Sequence, residues 1–354
     1  MYLGTDGGVY LSQDRGVTWI FLSNLPVGQF YHVAVDNETP YRIYGGLQDN
    51  GSWVAPSAVP GGISNGDWKS IFGGDGFWTV PDPLHPDYAY AEAQGGTMAR
   101  VHLKTFKTLD IKPQAGKGDG KLRWNWNTPI VTGAANKGNL YTGAQYLFKS
   151  TDQGRNWERI SPDLTTNDPK KQEQEKSGGI SADVTSAENH TTIFAIAESP
   201  LDEKIIWVGT DDGNLQVTTD GGKTWKKVLY IDDNTGVIDI KLHPTNPNIL
   251  LAASWERFRQ AHDFIGNGKG SSIWRSEDGG NSWKKAVEGF PQDEFVGRIG
   301  FDFALSQPNT VYALLDNQGK SDKPAPAPRQ RGNQQQEEML IQKMKTLHSQ
   351  AACI

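Results

Sequence analysis

The sequence predicts an all-β chain, a β-propeller of four-stranded antiparallel blades, and three observations carry that prediction. An octapeptide with Ser or Thr, then Asp, then Gly, then Trp at fixed offsets occurs four times: SQDRGVTW (12–19), STDQGRNW (150–157), TTDGGKTW (218–225) and SEDGGNSW (276–283). Short runs rich in β-branched and aromatic residues, broken by Gly, Pro, Asn and Asp, recur around it every few tens of residues, with no helical periodicity between them. Glycine supplies 40 of the 354 residues, above the roughly 7% that is usual, which is the composition of a chain with many turns.

Taken in order, residues 1–22 read as two outer strands with their octapeptide. Residues 30–54 and 76–103 each read as strands about a proline-bearing turn and lack the octapeptide, whereas 128–160 keeps it. Residues 192–228 are the clearest unit, with strands at 192–198, 205–209 and 214–218 and a short one after DGGKTW. Its successor repeats the order with an inserted loop, ERFRQAHDFIGNGKG (256–270). Residues 297–319 supply two inner strands. The sum is about five complete blades and two half blades. Either the halves join in one closing blade of a six-bladed ring, or each is a blade cut by truncation of a six- or seven-bladed one.

Residues 1–319 are thus the propeller, with SPDLTTNDPKKQEQEKSGG (161–179) a long loop between blades. Residues 320–354 differ in kind: KSDKPAPAPRQRGNQQQ is Pro- and Gln-rich, has almost nothing to bury and reads as disordered. Leu340, Met344 and Leu347 behind it lie at the spacing of a short helix.

Within each octapeptide the aspartate can accept hydrogen bonds from backbone N–H groups ahead of it, and the glycine can take a positive φ. A turn alone does not demand a tryptophan; a turn pinned to a core does. The octapeptide resembles the Asp box (BNR repeat) of sialidase-like propellers, where it joins the third and fourth strands of a blade. That resemblance implies turn-bonding roles for Asp14, Asp152, Asp220 and Asp278 and packing roles for Trp19, Trp157, Trp225 and Trp283. Asn156 and Ser282 stand where the family has Thr.

RWNWNTPI (123–130), SPDLTTNDP (161–169) and TIFAIAESP with IWVGTDDG (192–213) extend the likeness. Residues 1–319 resemble the bacterial group described as glycosyl-hydrolase-like or sortilin N-terminal-like repeat proteins. That group is related in fold to xyloglucanase-type glycoside hydrolases, the sortilin luminal domain and a photosystem assembly factor. Fold does not choose among such functions. The resemblance implies either a carbohydrate-directed, hydrolase-like propeller or a non-enzymatic scaffold that binds a protein or peptide on its face.

A net charge of -6 argues against a nucleic-acid surface, which needs clustered Lys and Arg. No run approaches the roughly 18 apolar residues of a membrane helix. MYLGTDGGVY opens directly in a strand pair with no basic-then-apolar leader. The expectation is a fragment of an exported parent, periplasmic or extracellular. Cys353 is the only cysteine, and the seven histidines form no metal-ligand spacing, His85 and His243 lying in proline turns. Acidic loops leave calcium open, though no twelve-residue calcium loop is present, and with no phosphate-binding glycine motif no metal site or cofactor is assigned.

Glycoside hydrolysis needs two carboxyl groups flanking the scissile bond. Asp6 in GTDGG (4–8) resembles the segment carrying a catalytic aspartate in xyloglucanases, and Asp75 in GGDGF (73–77) sits in a glycine turn that a sugar could approach. The competing reading is that such aspartates cap turns, since LQDNG (47–51) and GTDDG (209–213) occupy equivalent positions. Trp78, Trp124, Trp126 and Trp255 are candidate sugar platforms, with interblade packing as the alternative. Strand alternation would place Trp124 and Trp126 on one face. Arg257, in the aromatic and charged insertion SWERFRQAHDF (254–264), is a candidate ligand-binding residue.

Overall fold

The computed structural model describes residues 1–5, 8–22, 28–118, 120–178, 181, 183 and 185–319. Among them the protein is all β, with four short 3-10 turns as its helical elements. The chain opens with a three-stranded sheet of β1 (Tyr2–Thr5), β2 (Gly8–Leu11) and β3 (Ile20–Phe21). Five four-stranded antiparallel sheets follow. They comprise β4 (Phe30–Val35), β5 (Arg42–Leu47), β6 (Gly51–Pro56) and β7 (Lys69–Phe72); β8 (Gly76–Pro81), β9 (Tyr88–Ala93), β10 (Thr97–His102) and β11 (Thr108–Asp110); then β12 (Ile130–Thr132), β13 (Leu140–Gly143), β14 (Leu147–Ser150) and β15 (Glu158–Arg159). The fourth holds β16 (Ile193–Glu198), β17 (Ile206–Thr210), β18 (Asn214–Thr218) and β19 (Lys226–Tyr230). The fifth holds β20 (Thr235–Leu242) and β21 (Leu250–Glu256) with β24 (Ser272–Ser276) and β25 (Lys284–Lys285), and between β21 and β24 the chain inserts a separate two-stranded hairpin of β22 (Phe258–Gln260) and β23 (Asp263–Ile265). A pair, β26 (Val296–Phe303) and β27 (Val311–Asn317), closes the described chain.

Two expectations change. Residues 1–22 give three strands rather than two, because β3 is two exposed residues long, too short to register as an apolar run. Residues 121–129 form no strand, so alternation does not govern RWNWN. The tail beyond residue 319 lies outside the described residues.

The hydrophobic cores lie between sheets rather than within them. Tyr44, Val54 and Ile71 of one sheet pack with Ala91, Ala99 and Val101 of the next, and Tyr90 and Met98 pack with Ile130, Leu140 and Phe148. Tyr141 and Leu147 meet Ile193, Ile206 and Val208, while Trp207 and Leu215 meet Val237, Ile240 and Leu250. A middle sheet is therefore covered on both faces. All five residues of β17 are buried, which explains its continuous apolar run where a half-exposed strand would alternate.

The four octapeptides fold alike. In the third, the Asp220 carboxylate accepts the Thr224 N–H (2.9 Å) and hydroxyl (2.6 Å), while the Thr218 hydroxyl accepts the Gly222 N–H (2.9 Å). Asp14, Asp152 and Asp278 repeat this with Thr18, Asn156 and Ser282. Three of the tryptophans then reach an interblade core: Trp157 donates its indole N–H to the Ile111 carbonyl of the preceding sheet (2.6 Å), Trp225 to that of Ile160 (3.3 Å), and Trp283 meets Trp207 edge to face at 6.0 Å. Trp19 reaches none of the five cores and is 38% exposed.

A second recurring clasp escaped the sequence reading. Tyr44 donates to Asp36 (2.9 Å), Tyr90 to Asp82 (2.8 Å) and Tyr141 to Glu198 (2.6 Å). Asp36 and Asp82 also accept backbone N–H groups of the proline turns joining first and second strands. His243 takes that place in its own turn, its Nδ1 accepting the Asn246 N–H at 3.0 Å. The proline-turn histidines are thus structural.

Candidate functional site: the central cavity

The first strands of successive sheets, β4, β8, β12, β16, β20 and β26, contribute residues to one central cavity of about 1420 Å³. Glycines bring two of these sheets together: a Cβ on Gly46 would stand 2.3 Å from the backbone of Gly76, and one on Gly76 would stand 2.2 Å from the Gly51 carbonyl oxygen. That close approach carries Asp75 and Phe77, on either side of Gly76, to the cavity rim.

Asp75 is held on both carboxylate oxygens: Oδ1 accepts the Asp49 N–H at 2.8 Å and Oδ2 the Trp126 indole N–H at 3.3 Å. Its own N–H donates to Gln94 Oε1 at 2.8 Å. Tyr31 stands beside it, its ring 4.4 Å from Phe77 and 5.9 Å from Trp126, and its hydroxyl donates to Gln48 (2.7 Å). Burial, with the Asp75 carboxylate adding to it, pushes the Tyr31 hydroxyl up to about 12.

Deeper in the cavity, Trp78 stacks on the His32 ring with centroids 3.9 Å apart. Burial above all, reinforced by Arg298 and opposed by the Asn127 hydrogen bond, holds the His32 pKa well below its usual value. A neutral ring accepting at Nε2 fits its neighbours, since the Arg298 guanidinium, which can only donate, lies 3.3 Å from that atom. Arg257 and Arg298 lie 5.6 and 5.7 Å from the Trp255 ring centroid. The inserted hairpin brings Arg259 5.6 Å from both Trp126 and Phe264. Asp239, raised by burial, faces Lys241, whose own pKa that aspartate raises.

Trp78, Trp126, Trp255, Arg257 and Asp75, named from sequence alone, all line this cavity. Trp124 does not: it is 6% exposed, stacked on Phe148 at 6.0 Å and covered by Lys112. Asp6 lies outside the described residues, so the Asp6/Asp75 pair has one described member. The turn aspartates Asp211 and Asp212 are bonded by Thr192 and by Thr166 with Thr210. Asp49 was read only as a turn aspartate, and His32, Tyr31, Arg259 and Arg298 were missed. Arg259 alone carried a signal, the same insertion that pointed to Arg257. Among the described residues, no three His, Cys, Asp or Glu side chains converge as a metal site.

The profile of the Sortilin-Vps10 family, described as sortilin, neurotensin receptor 3, matches residues 145–325, half of the chain. The chain belongs to the Sortilin-Vps10 family. It is also 23% identical over 332 residues to a xyloglucanase of Hypocrea jecorina (strain QM6a), a match covering 87% of this chain and 36% of the relative. This Sortilin-Vps10 chain therefore spans about a third of that curated relative's length. Among solved structures it superimposes on the GH74 xyloglucanase from Xanthomonas campestris with a TM-score of 0.56 at 15% identity, over 81% of this chain and 42% of that one. The extracellular domain of BT4673 from B. thetaiotaomicron gives 0.53 at 14% identity, over 89% and 35%. At such identities the structural likeness establishes the propeller fold.

Proposed function

We propose that this chain is the carbohydrate-directed propeller of an exported glycosyl-hydrolase-like protein, receiving a polysaccharide segment at the mouth of the central cavity. The observation that carries the reading is Asp75, fixed on the rim between Trp126 and the Asp49 backbone, beside the ring of Tyr31. Such a rim supplies what sugars need, an aromatic face for the ring and a carboxylate for its hydroxyl groups or for chemistry at the anomeric carbon. The similarity to a xyloglucanase over most of the chain, and to an extracellular domain in fold, supports the same reading.

Hydrolysis adds water across the glycosidic bond: oxygen goes to the anomeric carbon and a proton to the departing oxygen, so an acid and a base or nucleophile are required. Asp75 is one carboxylate of that pair, and Asp6 or the adjacent Asp49 is the second. Reducing-sugar release and binding should be measured on a polysaccharide panel for the wild-type chain and for Asp75→Ala, Asp49→Ala, Asp6→Ala and Trp126→Ala. The expected result is release lost on removing either partner carboxylate, and binding weakened by Trp126→Ala. The family match favours a second reading, a scaffold binding peptide or protein ligands in the same funnel. Peptide binding by a folded protein that neither binds nor cleaves any polysaccharide would replace the first reading with the second.

A further inference from the structure

We propose that the saccharide taken by this cavity is anionic, a uronic-acid type of chain whose carboxylate groups are received by Arg257, Arg259 and Arg298. The proposal rests on the carbohydrate reading above and names its substrate class. Its basis is a set of three guanidinium groups that line the cavity within reach of one another, with donors left over. A guanidinium carries five N–H donors. Arg257 spends one on the Ala187 carbonyl (3.1 Å) and Arg298 one on His32 Nε2 (3.3 Å). None of the three forms a salt bridge with a described carboxylate.

Carboxylates near the three guanidiniums act on them at a distance, Asp211 on Arg257, Asp239 on Arg298 and Asp183 with Arg259, without closing a salt bridge. Asp239 faces Lys241, which lies 3.9 Å from Asp302, and Asp75 accepts the Asp49 and Trp126 N–H groups. Burial foremost, with Arg259 and Arg298 adding to it and Asp211 opposing, holds the Arg257 pKa down at about 10. A cluster of like charges in a partly desolvated pocket is relieved by an incoming anion.

Rings hold the guanidiniums in place before a ligand arrives: Arg298 lies over Phe194 (5.9 Å) and Trp255, and Arg259 over Trp126 and Phe264. Pre-positioning lowers the ordering cost of binding, and the planar fork suits a carboxylate. A polymer that carries one carboxylate per sugar ring offers one acid to each fork.

The test is calorimetric titration of the 354-residue chain with a galacturonic-acid tetramer, a glucose tetramer of equal length and a tetraglutamate peptide, repeated with Arg259→Gln and Arg298→Gln. Arg259 is exposed, so its replacement leaves the fold intact if Arg298→Gln does not. The expected result is preference for the acidic tetramer, affinity falling with added salt, and a loss of about tenfold to a hundredfold in each variant. Equal or tighter binding of the neutral tetramer, unmoved by either substitution, overturns the anionic assignment while the carbohydrate reading stands. Binding of tetraglutamate in preference to both sugars, or of no sugar at all, overturns both.

Discussion

Asp220 and Asp278 show how a single exposed carboxylate can matter. Side-chain hydrogen bonds from Thr224 and Ser282, with the backbone N–H groups of the same residues, lower each pKa from 3.8 to about 2. The folded chain thus binds fewer protons than the unfolded one in this interval. The stabilisation is complete above the unfolded value and is lost as pH falls towards 2. Denaturation midpoints measured down that range should fall more steeply for the wild type than for Asp220→Asn with Asp278→Asn. Identical slopes would mean that these turns do not contribute to acid sensitivity. His32 works at higher pH: its folded pKa lies well below 6.5, so the unfolded chain takes up a proton that the buried ring refuses, and stability drops as pH falls through 6.5. His32→Gln should lose less stability between pH 7.5 and 5.5 than the wild type. An equal loss would place the ring's titration elsewhere.

At the scale of the element, three of the four octapeptide turns act as rivets between blades, and their glycines differ in what surrounds them. Gly280 has φ +84, and a Cβ there would stand 2.0 Å from the Trp207 ring, whereas Gly221, at φ +75, has nothing nearer than Lys204 at 4.0 Å. Both alanine substitutions strain the backbone, and only the first also displaces a core ring. Gly280→Ala should therefore cost about 1–3 kcal/mol more than Gly221→Ala in urea unfolding. Trp207 is 3% exposed, and Trp207→Ala should cost about 3–5 kcal/mol. Trp19→Ala, in the one octapeptide that reaches no core, should be close to neutral by comparison.

For the whole molecule, stability follows the interblade cores. The sheets formed by β12 to β21 and β24 are packed on both sides, whereas β1 to β3 contribute no described residue to the five cores and leave Tyr2 and Ile20 76% and 54% exposed. Hydrogen exchange followed by mass spectrometry should find amides of 2–21 exchanging well before those of 193–218. Comparable protection would show that the first sheet packs in solution against a surface that these cores do not include.

The fold was legible because it is periodic. A turn that must bond its own backbone and also fill a gap between sheets needs Asp, Gly and Trp at fixed offsets, and four copies leave a mark that no single turn would. A two-residue strand such as β3 left none, since its partner supplies the order. The cavity was legible only in part. Trp78, Trp126, Trp255, Arg257 and Asp75 were marked by residue type or by an insertion, whereas His32 and Arg298 sit in ordinary-looking strands 266 residues apart and meet only across the ring. Trp124 and Trp126 could not be told apart, because the segment carrying them is irregular and its side-chain directions follow from contacts with Phe148 and Asp75 rather than from a strand's alternation. Local hydrogen bonding and repetition are properties of the chain itself; which side chains face a shared cavity depends on how the sheets close about it.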